Sequence, residues 1–365
     1  MSDSESDELE VEDEETDEDE QQNSASDQVV VNQTASKVPS EIQVEDQIFD
    51  ISFHPVKNVI ACGEITGKVS VFSYSTELNK KLCVFNNHKK ACRCLSFSTD
   101  GERLYTCSKD KSIQVIDLNS GSLIHNLPKA HEKALNSMKI LSQNYMATGS
   151  DNGTIKVWDT RTFSTIAEFS DCKDYISDMT CDKDKKYLLC TSGDGVLSVY
   201  NLRKKVLEQA SDQLDEELLS VAIVKNGQKV VCGSADGVLN IYSWGEWGDI
   251  SDRIPTENDS IDSICPITED IICTGTDDSY IRSLYILPHR AIGVIGKHGT
   301  FGIENLKLSE DKQLLASCAS DNVVKFWDVS SLHDEHIEPV KQKKQNRKRK
   351  MADCSTSKGD FFADL

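Results

Sequence analysis

The sequence lacks the features that mark exported and membrane proteins. It opens with Met1-Ser2-Asp3-Ser4-Glu5, so we expect no export signal. No apolar run approaches the roughly 20 residues that are needed to cross a bilayer. The 13 cysteines include no C-x-x-C pair, so a metal site is not indicated. These absences favour a reducing compartment, nuclear or cytosolic, and a protein without metal, cofactor or membrane partner.

Positive charge is missing from one end of the chain and concentrated near the other. The first 36 residues contain 14 acidic side chains and no lysine or arginine, whereas residues 341–350 (KQKKQNRKRK) carry +7. Residues 351–365 carry -2, and because the whole chain carries -21, residues 37–340 carry -12 by difference. An acidic folded part argues against a general nucleic-acid groove on its surface. We therefore expect contact with RNA only through the basic tail.

A short β-type run recurs seven times along the chain. The runs are GKVSVF (67–72), KSIQVI (111–116), GTIKVW (153–158), GVLSVY (195–200), GVLNIY (237–242), SYIRSL (279–284) and NVVKFW (322–327). Their last residues are 42 to 44 positions apart, and each run alternates with period two, as half-buried strands do. Two further β-type runs precede each one, and there is room for a fourth strand after it. Four antiparallel strands per unit predict the blade of a β-propeller.

Seven units predict an all-β fold with a single seven-bladed propeller over residues 41–330. The expected blades are approximately 48–87, 88–130, 131–171, 172–215, 216–258, 259–296 and 297–330. The last unit lacks a fourth strand, and we expect residues 41–46 to supply it, because sheet edges in such rings are paired. Residues 1–36 are predicted to be a disordered acidic arm. Residues 331–365 are predicted to be a basic, mostly disordered tail that ends in FFADL.

Polar residues within the units resemble those of the WD-repeat propeller family. The Trp-Asp dipeptide occurs at Trp158-Asp159 and Trp327-Asp328. In that family a buried hydrogen-bond relay joins His, Asp, Ser or Thr, and Trp within a blade. The resemblance implies relay members in units seven, three and two, with Asn152 where Asp is usual in unit three: His298, Ser317, Asp321 and Trp327; His131, Thr148 and Trp158; His88, Thr106 and Asp110.

Three of these residues, His298, Ser317 and Asp321, also have the composition of a catalytic triad. Partial copies of the set recur in other units, and enzymes rarely carry one active site per repeat. We therefore expect a non-catalytic binding protein, a monomeric ring with no small-molecule substrate.

Family resemblance places partner binding on the narrower rim of the ring. The rim residues expected from the spacing lie eight positions before each run end: Glu64, Ser108, Ser150, Ser192, Ser234, Thr276 and Ala319. Trp244 and Trp247 lie outside the expected core positions. Packing on the outer strand of the fifth blade and an exposed binding anchor remain two open alternatives for this pair.

The two ends of the chain carry short motifs of their own. Ser2, Ser4 and Thr16 each precede an acidic residue by three positions, a pattern that casein-kinase-type kinases favour, although acidic composition alone produces it too. Seven cations predict a nuclear or nucleolar import signal, or a contact to RNA phosphates: Lys341, Lys343, Lys344, Arg347, Lys348, Arg349 and Lys350. Phe361, Phe362 and Leu365 suggest a short docking peptide at the end of the tail.

As a whole, the chain resembles a nucleolar group within the WD-repeat family. The shared features are the acidic arm, the seven units, the basic tract and the FFADL ending. This resemblance implies a scaffold in ribosomal RNA production and large-subunit ribosome assembly, with pre-ribosomal assembly factors as partners. It also implies a location in the nucleus and nucleolus, with the cytoplasm as a further compartment.

A rival interpretation starts from the third unit. Residues 146–161 (MATGSDNGTIKVWDTR) are similar to the box by which some WD-repeat proteins dock onto cullin-4 ubiquitin ligases. That similarity implies a substrate receptor of such a ligase, in which Arg161 contacts the adaptor. Arg203, in Tyr200-Asn201-Leu202-Arg203, belongs to a weaker second copy.

Overall fold

The computed structural model describes residues 38–256 and 260–334. In this part of the chain 28 strands form seven antiparallel sheets of four strands each, which confirms the predicted seven-bladed, all-β propeller. The only helical segments within these residues are two 3-10 turns, Lys225–Gly227 and Ser330–His333. No helix in the described ranges is long and apolar enough to span a bilayer.

Each blade contributes one strand to each of four concentric positions. The first strands are β2 (Ile48–Phe53), β6 (Cys92–Phe97), β10 (Leu135–Ser142), β14 (Ile176–Cys181), β18 (Leu218–Val224), β22 (Ile261–Pro266) and β26 (Ile303–Leu308). The second strands are β3 (Val59–Glu64), β7 (Arg103–Ser108), β11 (Tyr145–Ser150), β15 (Tyr187–Ser192), β19 (Lys229–Ser234), β23 (Ile271–Thr276) and β27 (Leu314–Ala319). The third strands are β4 (Val69–Ser73), β8 (Ile113–Asp117), β12 (Ile155–Asp159), β16 (Leu197–Asn201), β20 (Val238–Ser243), β24 (Tyr280–Tyr285) and β28 (Val323–Asp328). The fourth strands are β5 (Lys80–Phe85), β9 (Ser122–Leu127), β13 (Ser164–Phe169), β17 (Val206–Ala210), β21 (Asp252–Pro255), β25 (Arg290–Lys297) and, in blade seven, β1 (Ile42–Gln43).

Strand position determines which residue types each strand can hold. The recurring runs form the third strands. The second strands are buried on both faces because the neighbouring blades cover them; in β7 five consecutive residues are buried. Outer strands such as β5 are mostly exposed. The core is therefore a series of apolar layers between successive blades, with Ile48, Ile60 and Phe326 in the layer at the closure.

The ring is closed by a strand from the beginning of the described chain. Strand β1 pairs antiparallel with β28, with Ile42 opposite Val324 and Gln43 opposite Val323. The Val44 amide continues the ladder and donates to the Asn322 carbonyl at 2.9 Å. Ile42 is buried in the closure layer. Blade seven is thus completed by residues that precede blade one, and its sheet has no open edge at this position.

A second set of bonds joins the blades around the axis. Each first strand packs against the first strands of both neighbouring blades, and each carries a bulge near its start, as between Ile48 and Asp50. The Asp50 carboxylate accepts from the Leu95 amide of blade two and the Asn305 side chain of blade seven, both at 2.8 Å. Asp178 similarly accepts from the Val221 amide of the next blade at 3.1 Å. These polar side chains connect blades that share no backbone ladder.

Asp50 is the most connected of these axial residues. It also accepts from its neighbouring Ile51 amide at 2.8 Å, and its side chain is buried. Burial raises the pKa of this carboxyl to about 6, while the Lys307 ammonium and the two backbone donors act in the opposite direction. Three donors converge on one carboxylate, so its removal leaves three polar groups without their partner.

Candidate functional site

The ring has two faces, defined by which connections lie on them. The loop face carries the loops between each fourth strand and the next first strand, together with the turns between second and third strands. The turn face carries the remaining turns. Backbone bonds tie loop to turn on the loop face: the amides of Lys109 and Asp151 donate to the carbonyls of Ala91 and Ala134, each at 2.9 Å. The loop face is therefore a fixed surface built on paired strands.

The expected rim residues do not form this surface. All seven are buried at the ends of the second strands, so the sequence-based assignment of an exposed rim is wrong. In the five of them that carry a hydroxyl group, this group bonds within the following turn. Ser150 donates to Asn152 Oδ1 at 2.7 Å, and Ser192 donates to the Asp194 carboxylate. Because these hydroxyls are used within the blade, the turn residues themselves make the surface.

Blade seven holds the four relay residues in one chain of hydrogen bonds. Trp327 Nε1 donates to Ser317 Oγ at 2.8 Å, and His298 bonds Ser317 Oγ through Nε2 at 2.6 Å and Asp321 Oδ2 through Nδ1 at 2.9 Å. A carboxylate only accepts, so the imidazole proton lies on Nδ1 and the Ser317 hydroxyl donates to Nε2. Burial lowers the pKa of His298, and the Asp321 carboxylate opposes this effect. The relay thus contains a neutral histidine with both nitrogens satisfied.

Blade two has the same histidine contacts without the tryptophan. His88 bonds Thr106 Oγ1 through Nε2 at 2.8 Å and Asp110 Oδ2 through Nδ1 at 3.3 Å. Asp110 also accepts from its own turn, through the Ser112 amide at 2.9 Å. Ile116 occupies the tryptophan position and is buried, so Thr106 has no indole donor.

Blade three is the incomplete member of the set. Trp158 Nε1 and His131 Nε2 both bond Thr148 Oγ1 at 2.8 Å. His131 Nδ1 is buried and has no hydrogen-bond partner among the described residues, because Asn152 is engaged with Ser150. Burial, with a smaller contribution from the Lys156 charge, lowers the pKa of His131 to about 3. Asn in place of Asp therefore costs this histidine its second partner.

In blade four, which lacks both His and Trp, other residues occupy the relay space. The Cys172 thiol lies 3.5 Å from Ser198 Oγ and 3.4 Å from Tyr200 Oη, and all three are buried. Burial raises the pKa of the Cys172 thiol, which keeps it protonated. Sequence reasoning did not find this substitute, because a Cys, a Ser and a Tyr at these spacings carry no recognisable motif.

Relay hydroxyls are poorly placed for chemistry on an external substrate. Ser317 and His298 are both 0% exposed, and the Ser317 oxygen already accepts the indole proton of Trp327. A nucleophile needs access to a substrate and a base that can take its proton, and here both nitrogens of the histidine are engaged in structure. Within the described ranges, no group of His, Cys, Asp and Glu is arranged to hold a metal ion.

Charge is divided across the loop face. Six lysines around blades two and three are exposed, and none of them forms an ion pair with a described carboxylate. We call them the lysine patch: Lys89, Lys90, Lys109, Lys111, Lys129 and Lys133. Further round the ring, the loop before blade five, residues 212–217, holds four acidic residues and no lysine or arginine. We call it the acidic loop.

The turn face carries a cavity and a cluster of aromatic rings. The cavity, of about 810 Å³, lies against blades three to seven and is lined in part by Lys183, Glu269 and Trp244. Trp247 is 5% exposed and lies 5.3 Å from the Tyr187 ring and 5.4 Å from the Trp244 ring, measured between centroids. The exposed-anchor alternative is therefore wrong for Trp247. It packs in the apolar layer between blades four and five, beside Tyr187 of blade four.

Arg161, the proposed adaptor contact, lies at the turn between β12 and β13. Its guanidinium makes a bidentate contact with the Asp159 carboxylate, at 3.0 Å from Nε and 2.6 Å from Nη2. The arginine side chain remains 59% exposed. Arg203, in the second copy, is also exposed.

Several of the proposed functional residues lie outside the described residues. These are the phosphorylation candidates Ser2, Ser4 and Thr16, the basic tract at residues 341–350, and the docking candidates Phe361, Phe362 and Leu365. Their assignments stay predictions from the sequence.

Seven sheets, a Trp-Asp repeat and the His–Ser/Thr–Trp relay define a WD-repeat propeller, a class that acts as a scaffold for protein interactions. The family described as WDR55 matches residues 39–332. WD repeat-containing protein 55 of Danio rerio is 41% identical over 334 residues, covering 90% of this chain and 86% of that protein. The Homo sapiens protein of the same name is 36% identical over 331 residues, with 90% and 86% covered. The WD repeat-containing protein 55 homolog of Drosophila erecta is 36% identical over 331 residues, with 90% and 66% covered. The chain belongs to the WD repeat-containing protein 55 family.

Proposed function

We propose that this protein is a non-catalytic scaffold of the nucleolus that acts in ribosomal RNA production and large-subunit ribosome assembly. The ring holds pre-ribosomal assembly proteins, and the basic tract at residues 341–350 directs the protein to the nucleus and nucleolus. Support comes from the whole-chain resemblance to a nucleolar WD-repeat group and from the density of cations in the tract.

The observation that carries the scaffold function is how the polar residues divide between interior and surface. Hydroxyl and imidazole groups in the relays bond to one another inside the blades. The lysine patch of the loop face is exposed and is held on bonded loops. A surface of this kind recognises other macromolecules by charge and shape and offers no buried reactive group.

RNA contact, in this proposal, is confined to the basic tract. Residues 37–340 carry -12, so the ring as a whole repels phosphate, whereas ten residues with seven cations release counterions when they bind a nucleic acid. The terminal FFADL supplies a second, weak tether through Phe361, Phe362 and Leu365, and such tethers add to ring binding through effective concentration.

Deletion of residues 341–350 tests the location and the role together. The expected result is loss of nucleolar signal in cells and accumulation of unprocessed pre-ribosomal RNA. A deletion of equal length at 351–360, which removes one lysine and two aspartates, serves as the control and should leave both unchanged. Normal nucleolar location of the 341–350 deletion would overturn the assignment of the tract.

A second candidate function, substrate receptor of a cullin-4 type ligase, is favoured by one observation. The Arg161 side chain is exposed and rigidly oriented by Asp159, which suits a contact residue. In a pull-down with the ligase adaptor, Arg161→Ala should abolish binding if this function holds, and Arg203→Ala should weaken it less. Retained rRNA processing with Arg161→Ala would separate this function from the first.

A further inference from the structure

The lysine patch is a fixed array rather than a set of independent side chains. Three segments that carry it are bonded to one another on the loop face. Ser108 Oγ donates to the Lys90 carbonyl at 3.0 Å, the Lys109 amide donates to the Ala91 carbonyl at 2.9 Å, and the Ala130 amide donates to the Lys111 carbonyl at 2.9 Å. The six lysines therefore project from one connected part of the backbone.

The patch has little counter-charge of its own. Its three segments, residues 87–91, 108–112 and 128–134, contain six lysines and two acids, which leaves a net charge of +4. Of the acids, Asp110 is engaged by His88 and by its own turn. Nearby Arg93 differs from the patch lysines because it has a carboxylate partner, Asp151, at 2.6 Å. The Lys111 ammonium donates to the Glu132 backbone carbonyl at 2.7 Å, which does not neutralise its charge. Lysines that share one surface without carboxylate partners repel one another and attract an acidic ligand.

The remainder of the loop face limits what that ligand can be. The acidic loop carries -4. The phosphates of a long nucleic acid that crossed the face would be attracted by the lysine patch and repelled by the acidic loop. A short acidic peptide can cover the lysine patch alone. The chemistry of the face therefore favours a peptide rich in Asp and Glu and without Lys or Arg.

This chain contains one segment of that chemistry. Residues 1–36 hold 14 acidic side chains and no lysine or arginine, and they lead into the ring beside blade one, where the Asn79 side chain donates to the Ser40 carbonyl at 2.6 Å. The lysine patch begins on the next blade. Asn79 lies on the turn face, so the arm must span the depth of the ring to reach the lysine patch on the loop face. That depth is about 20 Å, the length of a six-residue strand. A chain of 36 residues can extend over about 120 Å, which is enough. We propose that the lysine patch binds the acidic arm, residues 1–36, of the same chain.

Two consequences follow from this contact. The arm covers the basic half of the loop face and leaves the acidic loop free, so it competes with any acidic partner for the lysine patch. Neutralising the arm therefore increases the affinity of the patch for acidic ligands added in trans. Both effects weaken as salt is raised, since they depend on exposed charges.

Carbodiimide cross-linking of the full-length protein, read by mass spectrometry, tests the contact directly, because this reagent joins only carboxylates and amines that are paired. The expected result is cross-links within one chain from residues 3–20 to the lysine patch. Cross-links from the arm only to the tract at 341–350 would overturn the proposal, as would cross-links spread evenly over all exposed lysines.

A binding assay with matched variants supplies the second test. The probe is a fluorescent synthetic peptide of residues 1–36, and the variants are full-length chains. The first variant replaces the 14 arm acids with Asn and Gln, and it should bind the probe more tightly than the parent protein does. The second variant adds Lys89→Glu, Lys90→Glu, Lys109→Glu and Lys111→Glu to the first, and it should bind the probe about tenfold or more weakly than the first variant does. The control reverses four exposed lysines of the turn face, Lys57, Lys80, Lys185 and Lys205, and should change it little. An equal loss of probe affinity in the control would contradict the proposal. The proposal would also be contradicted if the lysine patch bound a single-stranded RNA 20-mer more tightly than it bound the peptide.

Discussion

His298 bonds the Asp321 carboxylate through Nδ1 at 2.9 Å, whereas the matching nitrogen of blade three, His131 Nδ1, has no partner among the described residues. The difference arises from Asp at 321 and Asn at 152. An unsatisfied buried donor costs roughly 1–3 kcal/mol, so the two blades are stabilised unequally by the same relay.

Reciprocal substitutions test this inequality. Asp321→Asn should lower the free energy of unfolding by about 1–2 kcal/mol, because it removes a charge-assisted bond to a buried histidine. Asn152→Asp should raise it by up to about 1 kcal/mol, because it gives His131 Nδ1 an acceptor. Urea unfolding at pH 7.5 measures both. An unchanged stability for Asp321→Asn would show that the relay bond has no net effect.

The protonation of His131 makes the ring sensitive to acid. The pKa of His131 is lowered to about 3 in the folded protein, against about 6.5 in an unfolded chain. Between these values the unfolded state binds a proton that the folded state does not, so stability is complete above pH 6.5 and falls as the pH decreases. From pH 7 to pH 5 the loss from this residue should be about 2 kcal/mol.

The matched variants separate His131 from other causes of acid sensitivity. His131→Gln should have a smaller loss of unfolding free energy between pH 7 and pH 5 than the parent protein. His333→Gln, which changes a half-buried histidine at the end of the described chain, should keep the parental slope. Parallel slopes for the parent and His131→Gln would rule out His131 as the source.

Closure of the ring by β1 can be tested with a buried charge. Ile42 is 3% exposed and packs in the closure layer. Ile42→Asp should lower the unfolding free energy by about 2–4 kcal/mol, because it exchanges apolar contacts for an unpaired carboxylate. Val206→Asp, on the exposed outer strand of blade four, is the control and should change stability by less than about 0.5 kcal/mol. Equal effects would mean that β1 is dispensable for closure.

The axial bonds of Asp50 predict a further loss of stability. Asp50→Ala leaves the Ile51 and Leu95 amides and the Asn305 side chain without an acceptor, and should destabilise the protein by about 3 kcal/mol. Asp184→Ala, at an exposed turn of blade four, should be neutral. Thermal unfolding of the two variants side by side gives the comparison, and similar melting temperatures would contradict a structural role for Asp50.

Sequence periodicity was sufficient to predict the blades. The seven alternating runs form the third strands because every third strand has the same surroundings, with neighbouring blades on both faces. Residues 41–46 could be assigned to blade seven since an alternating segment without a blade and a blade without a fourth strand require each other. The relay positions of His298 and His131 followed from the resemblance to the WD-repeat family.

Features that depend on contacts between blades could not be predicted in this way. Asp50 is a carboxylate in an otherwise ordinary β-type run, and its contacts with blades two and seven depend on the bulge after Ile48 and on residues distant in the sequence. The rim assignment failed because a small polar residue near a turn has the same local pattern whether its hydroxyl faces solvent or, like Ser150, bonds within the turn. Trp247 was ambiguous because Tyr187, its neighbour, is 60 positions away in the sequence.

Affinity purification of the full-length protein after RNase treatment, with mass spectrometry of the bound proteins, tests the central claim that the ring is a scaffold for ribosome assembly. We predict enrichment of large-subunit assembly factors, retained with Arg161→Ala. Recovery of ubiquitin-ligase adaptors without assembly factors, lost with Arg161→Ala, would contradict it.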